Sequence, residues 1–242
     1  MIEINNLHKS FGSNKVLRGV NLDIDTGETI VVIGRSGCGK SVLVKHIVGL
    51  LYPDEGYVKI EGRRVDEMDM QELYELRTGF GFLFQGSALF DSMTVEENIA
   101  LPLVESKNIY TKDELDSRIE EKLEMVGMSG VQKLKPAELS GGMKKRVGLA
   151  RALITDPDYI FYDEPTTGLD PIMSDSIDEL IKELTDRLNV TSIVVTHDMY
   201  SVKEVAHQVA MMHEGIIHFV GSPKELLNSD DFIIREFIKR TE

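Results

Sequence analysis

A glycine-rich segment near residue 35 has the residue types and spacing that bind nucleotide phosphates. Gly34-Arg35-Ser36-Gly37-Cys38-Gly39-Lys40-Ser41 matches the phosphate-binding loop pattern. Its glycines let successive backbone N–H groups turn toward phosphate oxygens, and the helix that follows adds the positive end of its dipole. Lys40 would reach the β- and γ-phosphates, and the Ser41 hydroxyl would bind Mg²⁺. The predicted nucleotide contacts here are Gly34, Arg35, Ser36, Gly37, Cys38, Gly39, Lys40, Ser41 and Val42. The alternative is a glycine-rich turn without a ligand.

Two adjacent carboxylates follow an apolar segment later in the chain. Asp163 and Glu164 come directly after Tyr159-Ile160-Phe161-Tyr162, which has the composition of a buried strand. If that strand lies beside the one that leads into the loop, Asp163 would bind the Mg²⁺ shell and Glu164 would polarise the attacking water. Because an Asp-Glu pair at a strand end is also common on protein surfaces, this prediction depends on the loop.

His197 has a similar setting. It follows the apolar segment Thr191–Val195, and residues that face a nucleotide in α/β proteins lie beyond the carboxyl ends of strands. An isolated histidine is usually structural, and we interpret the other five histidines as structural or exposed. The position after a buried strand therefore favours a nucleotide-facing role for His197.

The elements that must position these residues alternate between strand and helix. Thr29–Ile33 is apolar throughout, as expected for a central parallel strand covered on both faces. A helix is predicted over Ser41–Leu51, another begins at the Thr111–Glu114 capping box, and a third begins at Asp170-Pro171. The third helix has an apolar stripe, formed by Ile177, Leu180, Ile181, Leu184 and Leu188. This alternation predicts an α/β fold with a mostly parallel sheet.

The remaining segments predict two additions to the α/β core. The first thirty residues alternate as short antiparallel strands separated by turns, with Ile2, Ile4, Leu22 and Ile24 on the buried face. The region 86–153 is predicted to be mainly helical and to interrupt the strand–helix alternation. We therefore expect a single domain over residues 1–242, in which 1–85 and 154–242 form a nucleotide-binding core with a β subdomain and 86–153 form a helical subdomain.

Composition excludes several classes of function. The net charge of −14 argues against binding nucleic acid, which requires a basic surface. The single cysteine excludes an internal disulfide and a cysteine-based zinc site. The sequence has no run of about 20 apolar residues, the length of a membrane span, and Met1-Ile2-Glu3-Ile4 lacks the pattern of a signal peptide. These observations predict a cytoplasmic protein.

Leu139-Ser140-Gly141-Gly142-Met143 resembles the LSGGQ signature of ABC ATPases. The other motifs of that family occur in order: the phosphate-binding loop, a Q-loop glutamine at Gln85, Asp163-Glu164, a D-loop at Gly168-Leu169-Asp170, and a switch histidine at His197. The resemblance covers essentially the whole chain. It implies a P-loop NTPase (RecA-like) core with an antiparallel β subdomain and an inserted helical subdomain. Met143 departs from the family's glutamine, but the phosphate-binding serine and glycines are intact.

The resemblance also implies how the residues act. Two copies of the chain would pack head to tail around two ATP molecules, each held by one copy's loop and covered by Ser140, Gly141 and Gly142 of the other. Phe11 would stack on adenine, with Val16 near it. Gln85 would contact Mg²⁺ and the attacking water, and His197 would hold the γ-phosphate. Asp163 and Ser41 would bind Mg²⁺, with Asp170 at the nucleotide interface. ATP and Mg²⁺ are the expected cofactors.

The segment Leu83–Val95, with Asn98, Pro102-Leu103 and Met143, resembles the ATPase of Mla-type, MCE-linked lipid transporters. That resemblance implies permease subunits, an MCE protein and a STAS-domain regulator as partners. It places the protein at the inner face of the cell membrane. Leu89, Phe90 and Met93 would form a pocket for a permease helix. Another ABC transporter, importing amino acids or releasing lipoproteins, remains open. A DNA-repair ATPase would need a long coiled coil between Lys40 and Ser140, but this segment has room only for a helical subdomain. A translation-factor ATPase would need two ATPase domains, and this sequence has one set of ATPase motifs.

Overall fold

A computed structural model describes residues 1–106 and 108–241, and these residues form two sheets flanked by helices. The strands are β1 (Ile2–Phe11), β2 (Asn14–Ile24), β3 (Thr29–Ile33), β4 (Glu55–Ile60), β5 (Arg63–Arg64), β6 (Phe80–Leu83), β7 (Tyr159–Asp163), β8 (Thr191–Val195), β9 (Gln208–His213) and β10 (Ile216–Gly221). The helices are α1 (Lys40–Ile47), α2 (Met70–Thr78), α3 (Val95–Val104), α4 (Lys112–Met125), α5 (Gly141–Leu153), α6 (Pro171–Leu188), α7 (Met199–Val205), α8 (Pro223–Leu227) and α9 (Phe232–Thr241).

The larger sheet has the strand order β10-β9-β3-β8-β7-β6, and all of its pairings are parallel except β9 with β10. Both of its faces are covered. In β3, Val31 and Ile33 point into a core shared with α3 to α7, whereas Ile30 and Val32 point into a second core shared with α1 and the smaller sheet. The predicted buried parallel strand is therefore confirmed. Its carboxyl end, together with those of β6, β7 and β8, lies at one edge of the sheet.

The smaller sheet is antiparallel, in the order β2-β1-β4-β5. The sequence predicted short strands here, but the structure has two long strands joined at Gly12-Ser13. The predicted strands were too short. Register shifts interrupt the pairing of β1 with β2 after Ile4, although both strands continue beyond that point. Asn6 has a positive φ of 44° at this irregularity, so the buried positions change from Ile2 and Ile4 to Leu7 and the alternation is lost.

The helix after the phosphate-binding loop also differs from its prediction. It was expected to continue to Leu51, but α1 ends at Ile47. Gly49 has a positive φ of 66°, and a Cβ there would lie 2.5 Å from Leu73 Cδ2. The chain therefore leaves the helix at a position that suits glycine. Helix α4 begins as predicted, since Thr111 and Glu114 form a capping box.

Helices α3, α4 and α5 from the predicted helical region share the larger core with the sheet. Helix α5 packs closely on β6, where a Cβ at Gly148 would lie 2.9 Å from Leu83 Cδ1. The start of α5 is thereby fixed relative to the carboxyl ends of the strands. In the described ranges, no helix is long and apolar enough to cross a membrane.

Helix α6 carries the predicted apolar stripe, of which Leu188 is only half-buried. The stripe also contains Asp178, which is 1% exposed. Ser201 Oγ of α7 donates a hydrogen bond to Asp178 Oδ2 at 2.7 Å, and within the described part of the chain Oδ1 has no partner. Burial, reinforced by the carboxylates of Asp198, Asp175 and Glu204, raises the pKa of Asp178 to about 7.

This carboxyl should make stability depend on pH. Between its unfolded pKa near 3.8 and its folded pKa of about 7, the folded state binds a proton that the unfolded state releases, so stability falls as pH rises through that window. Asp178→Asn keeps the shape without the ionisation. We expect the variant to match the wild type near pH 4 and to exceed it by up to roughly 3–4 kcal/mol at pH 8, measured by urea denaturation. An equal difference at both pH values would contradict this account.

Candidate functional site

The segment Gly34–Gly39 connects β3 to α1 as a compact loop. Gly34, Gly37 and Gly39 all have positive φ values, and a Cβ at Gly34 would lie 2.4 Å from the main-chain oxygen of Met212. Only glycine fits there, because an L side chain is strained at this φ and would collide with the backbone of β9. The loop therefore adopts the backbone conformation that the sequence predicted.

Lys40 begins α1 and turns back over this loop. Its Nζ donates to the main-chain oxygens of Gly34 at 2.6 Å and Arg35 at 3.2 Å. The ammonium group thus lies inside the loop, where an arriving phosphate would find a cation already placed. These carbonyl contacts hold the side chain in position without neutralising its charge.

A cavity of about 680 Å³ opens at the carboxyl edge of the larger sheet. Most of the residues predicted to contact nucleotide or metal line it: Val16, Gly34, Arg35, Ser36, Gly37, Gly39, Lys40, Ser41, Val42, Gln85, Asp163, Glu164 and His197. They come from β2, from the phosphate-binding loop and α1, and from the carboxyl end of β7 and the segments that follow β6, β7 and β8. The cavity therefore collects cationic, carboxylate and hydroxyl groups from distant parts of the chain.

Asp163 and Ser41 provide oxygen atoms on the wall of this cavity. Burial and the adjacent Glu164 carboxylate raise the pKa of Asp163, whereas Lys145 and Lys40 oppose that change. A divalent cation would offset the cost of burying the carboxylate, and carboxylate and hydroxyl oxygens are the ligands that Mg²⁺ prefers. The donor set therefore fits a magnesium ion that accompanies a phosphate.

Glu164 is held in an unusual conformation. Its φ is +49°, and its backbone N–H donates to the Val195 oxygen at 2.8 Å. The carboxylate lies 2.9 Å from His197 Nδ1 and accepts a hydrogen bond from Thr167 Oγ1 at 3.1 Å. Non-glycine residues at positive φ are concentrated at functional sites. The backbone strain and the hydrogen bonds together aim the carboxylate toward His197 and the cavity.

Lys145 is a residue of this site that sequence reasoning missed. It is 4% exposed, and its Nζ donates to the main-chain oxygens of Gln85 and, at 3.1 Å, Glu164. Burial lowers its pKa to about 8, against the opposing effect of Asp163 and Glu164. Lys145 thereby ties α5 to the two segments that carry Gln85 and Glu164. Its spacing from the buried Gly142, Leu149 and Ala152 was the available signal, because it places Lys145 on the inner face of α5.

Four further cavity residues were not predicted: Val195 at the end of β8, and Phe237, Arg240 and Thr241 of α9. Nothing in the local sequence pattern connects α9 with the phosphate-binding loop, since Arg35 and Glu236 are 201 residues apart.

Several predicted nucleotide contacts lie outside this cavity: Phe11, Cys38, Ser140, Gly141, Gly142 and Asp170. Phe11 is at the end of β1, 48% exposed, with Lys9 Nζ 5.9 Å from its ring centre. Cys38 packs against the second core, and its Sγ lies 4.0 Å from Lys40 Nζ, so it stays beside the loop although it does not line the cavity. The structure of one chain does not bring the other predicted contacts together with Lys40: Phe11, Ser140, Gly141, Gly142 and Asp170.

The predicted signature forms the start of α5. Ser140 is the N-cap, and its Oγ accepts a hydrogen bond from the Met143 N–H at 3.3 Å. Ser140 and Gly141 are exposed, whereas a Cβ at Gly142 would lie 2.1 Å from Met173 Cε. Met143 packs against the larger core, which suits its apolar side chain. An exposed serine and backbone N–H groups at a helix start can bind an anion from outside the chain.

A groove of about 600 Å³ lies between β6 and α3. Its wall is largely aromatic and apolar and includes Phe84 and Phe90, which are 44% and 50% exposed. Of the three apolar residues predicted to form a partner pocket here, Phe90 lines the groove. Leu89 packs inward against the larger core, and Met93 does not line the groove. Because Gln85 follows Phe84 directly, this groove adjoins the nucleotide cavity.

Comparisons with known proteins find a matching family and similar solved structures. A family model described as ABC transporter matches residues 17–167. Among solved structures, the dimeric post-hydrolysis state of the ATP-binding cassette MJ0796 bound to ADP and Pi has a TM-score of 0.82 and 32% identity, covering 92% of this chain and 99% of that one.

Three curated relatives differ in the transport that their names describe. The probable ribonucleotide transport ATP-binding protein mkl of Mycobacterium leprae is 42% identical over 98% of this chain and 68% of its own. The methionine import ATP-binding protein MetN of Clostridium tetani is 38% identical, over 100% and 76%. The intermembrane phospholipid transport system ATP-binding protein MlaF of Haemophilus influenzae is 38% identical, over 99% and 90%.

Proposed function

This chain belongs to the ABC transporter ATP-binding family, and from that premise we propose that it powers a phospholipid transporter at the cytoplasmic face of the inner membrane. Membership makes it the ATP-hydrolysing subunit of an ABC transporter. The observation that carries the ATP-hydrolysing part of the proposal is the convergence of Lys40, Ser41, Asp163, Glu164 and His197 on one cavity. A structural or purely binding module would have no need of this combination of groups.

Each group has a role that its position supports. Lys40 and the loop N–H groups bind the β- and γ-phosphates. Ser41 and Asp163, with Gln85, would hold a magnesium ion, which would neutralise phosphate charge. Glu164 orients and polarises the attacking water. His197, whose Nδ1 lies against Glu164, keeps the carboxylate directed toward the γ-phosphate position. Lys145 fixes the main-chain oxygens of Gln85 and Glu164, so that both side chains project from a stable backbone.

The proposed active form is a homodimer around two ATP molecules. Ser140 is exposed and lies outside the cavity of its own chain, so it is free to cover the nucleotide of another copy. The related MJ0796 cassette has been solved as a dimer, with 32% identity to this chain. Phe11 and Asp170 are proposed to complete the nucleotide site in that dimer.

The lipid assignment rests on the segment around the groove. Leu83–Val95, Asn98 and Met143 carry the resemblance to Mla-type ATPases, and a relative named for intermembrane phospholipid transport matches 99% of this chain. In the proposed complex, two permease subunits bind the grooves of the dimer, an MCE protein presents lipid, and a STAS-domain protein regulates the ATPase. The second candidate is a small-molecule importer, favoured by the relatives named for methionine import and ribonucleotide transport.

The test is a purification of tagged Glu164→Gln protein from native membranes with ATP, followed by identification of co-purifying proteins and lipids. An MCE protein, its permease and bound phospholipid would support the proposal. A permease with a solute-binding protein would retain the ATPase and overturn the lipid assignment. Recovery of no membrane protein would contradict the transporter assembly as proposed.

The groove itself should bind the permease. Phe90→Asp places a charge in an apolar wall, and we expect it to remove permease association while leaving ATP binding unchanged, because Phe90 lies outside the nucleotide cavity. Ile109→Asp is the control, since Ile109 is 98% exposed and does not line the groove. Equal recovery of permease with both variants would show that the groove is not the docking site.

A further inference from the structure

Helix α9 is fixed at its start by contacts with the rest of the protein. Asp231 Oδ1 accepts hydrogen bonds from the backbone N–H groups of Ile233 and Ile234, and His218 Nε2 of β10 lies 3.1 Å from the same oxygen. Ile234 and Phe237 are buried in the larger core. The helix is therefore held firmly while its last turn reaches the nucleotide cavity.

Glu236 of α9 forms ion pairs with an arginine of the phosphate-binding loop and with an arginine of the helix's last turn. Glu236 Oε2 lies 2.7 Å from Arg35 Nη2 of the loop, and its other oxygen lies 2.7 Å from Arg240 Nη2. The two guanidinium groups hold the pKa of Glu236 below its usual range, so the carboxylate stays ionised. One anion thereby gathers two arginines at the edge of a cavity that already contains Lys40.

These arginines retain capacity for a second anion. A guanidinium carries five N–H donors in a planar fork that matches phosphate oxygens. The side chain of Arg240 is 62% exposed, and in the described part of the chain Glu236 is its one hydrogen-bonding partner. Arg240 and Thr241 line the same cavity as the loop built to hold phosphates. An exposed cation with free donors at that position suits a polyphosphate.

We propose that Arg240 binds the phosphates of the nucleotide, so that α9 is part of the ATP site; this rests on the nucleotide-binding function proposed above. Glu236 is a positioning residue that holds Arg240 and Arg35 on the same side of the cavity. The residues of α9 lie beyond the 17–167 segment that the family model matches.

The experiment measures the dissociation constants of full-length protein for Mg-ATP and Mg-GTP by equilibrium dialysis. Arg240→Ala should weaken binding of both nucleotides by roughly 5- to 20-fold, because a partly exposed charge-assisted contact is lost. A phosphate contact does not distinguish the bases, so the ATP to GTP ratio should stay constant. Lys239→Ala is the matched control: Lys239 is exposed, carries the same charge and does not line the cavity.

The outcomes separate the proposal from its premise. If Arg240→Ala and Lys239→Ala bind ATP equally well, Arg240 is not a nucleotide ligand. If Arg240→Ala weakens ATP but not GTP, it contacts the base and the phosphate assignment is overturned. Lys40→Ala tests the premise: normal ATP binding in that variant would refute the nucleotide site itself, whereas its loss with an unaffected Arg240→Ala would refute only the role of α9. A thermal melt of each variant checks that the substitution has not destabilised the protein as a whole.

Discussion

Glu164→Gln is expected to bind ATP with wild-type affinity and to hydrolyse it at least about 100-fold more slowly, the loss typical of removing a general base. The amide keeps the size of the side chain, so the positive-φ backbone and its bond to the Val195 oxygen are undisturbed. It loses the charge that polarises water. Lys40 and the loop glycines, which hold the phosphates, are unchanged. Single-turnover hydrolysis and a separate binding measurement distinguish the two effects.

The same variant should accumulate as a dimer with ATP, because the nucleotide that joins the two copies is no longer cleaved. Size-exclusion chromatography with and without ATP measures this. Glu183→Gln is a suitable control, since Glu183 is exposed on α6 and the substitution makes the same chemical change. A Glu164→Gln protein that stays monomeric and turns over normally would contradict both the water-polarising role and the shared site.

The parts of the site that the sequence predicted are those encoded locally. The phosphate-binding loop needs glycines at fixed positions between a strand and a helix, and the carboxylates and His197 directly follow apolar strands. Parallel strands then bring these ends to one edge without further information. The burial of both faces of β3 could likewise be predicted, because a strand covered on both sides is apolar at every position.

The missed parts depend on contacts between distant segments or on irregular backbone. Arg35 and Glu236 are 201 residues apart, and no local spacing connects them. The helical spacing of Lys145 places it on the inner face of α5, but only the folded structure shows that its ammonium group meets the main-chain oxygens of Gln85 and Glu164. In β1, the bulge near Asn6 changes which side chains face inward, which the simple alternation could not predict.

Ser140→Arg should abolish hydrolysis while its own phosphate-binding loop still binds ATP. Ser140 is exposed at the start of α5 and does not line the cavity of its own chain, so a large cation there leaves Lys40 and its loop intact. It would block the approach of α5 to the γ-phosphate held by another copy. Lys40→Ala should lose ATP binding at its own phosphate-binding loop while its Ser140 stays intact, because the substitution removes the phosphate-binding cation. Ser117→Arg, on the exposed face of α4, controls for the added positive charge, because it makes the same chemical change away from the cavity.

Mixing the two inactive variants tests the shared site directly. In a mixed dimer, one nucleotide site combines both defects, while the other pairs an intact Lys40 from one copy with an intact Ser140 from the other. Random pairing places one such site in half of the dimers, so the mixture should regain up to about a quarter of wild-type hydrolysis if the sites act independently. If Ser140→Arg instead loses ATP binding as Lys40→Ala does, the serine serves its own chain's nucleotide. The head-to-tail arrangement would then be wrong, because two inactive variants can restore hydrolysis in a mixed dimer only if each nucleotide site is divided between the two copies.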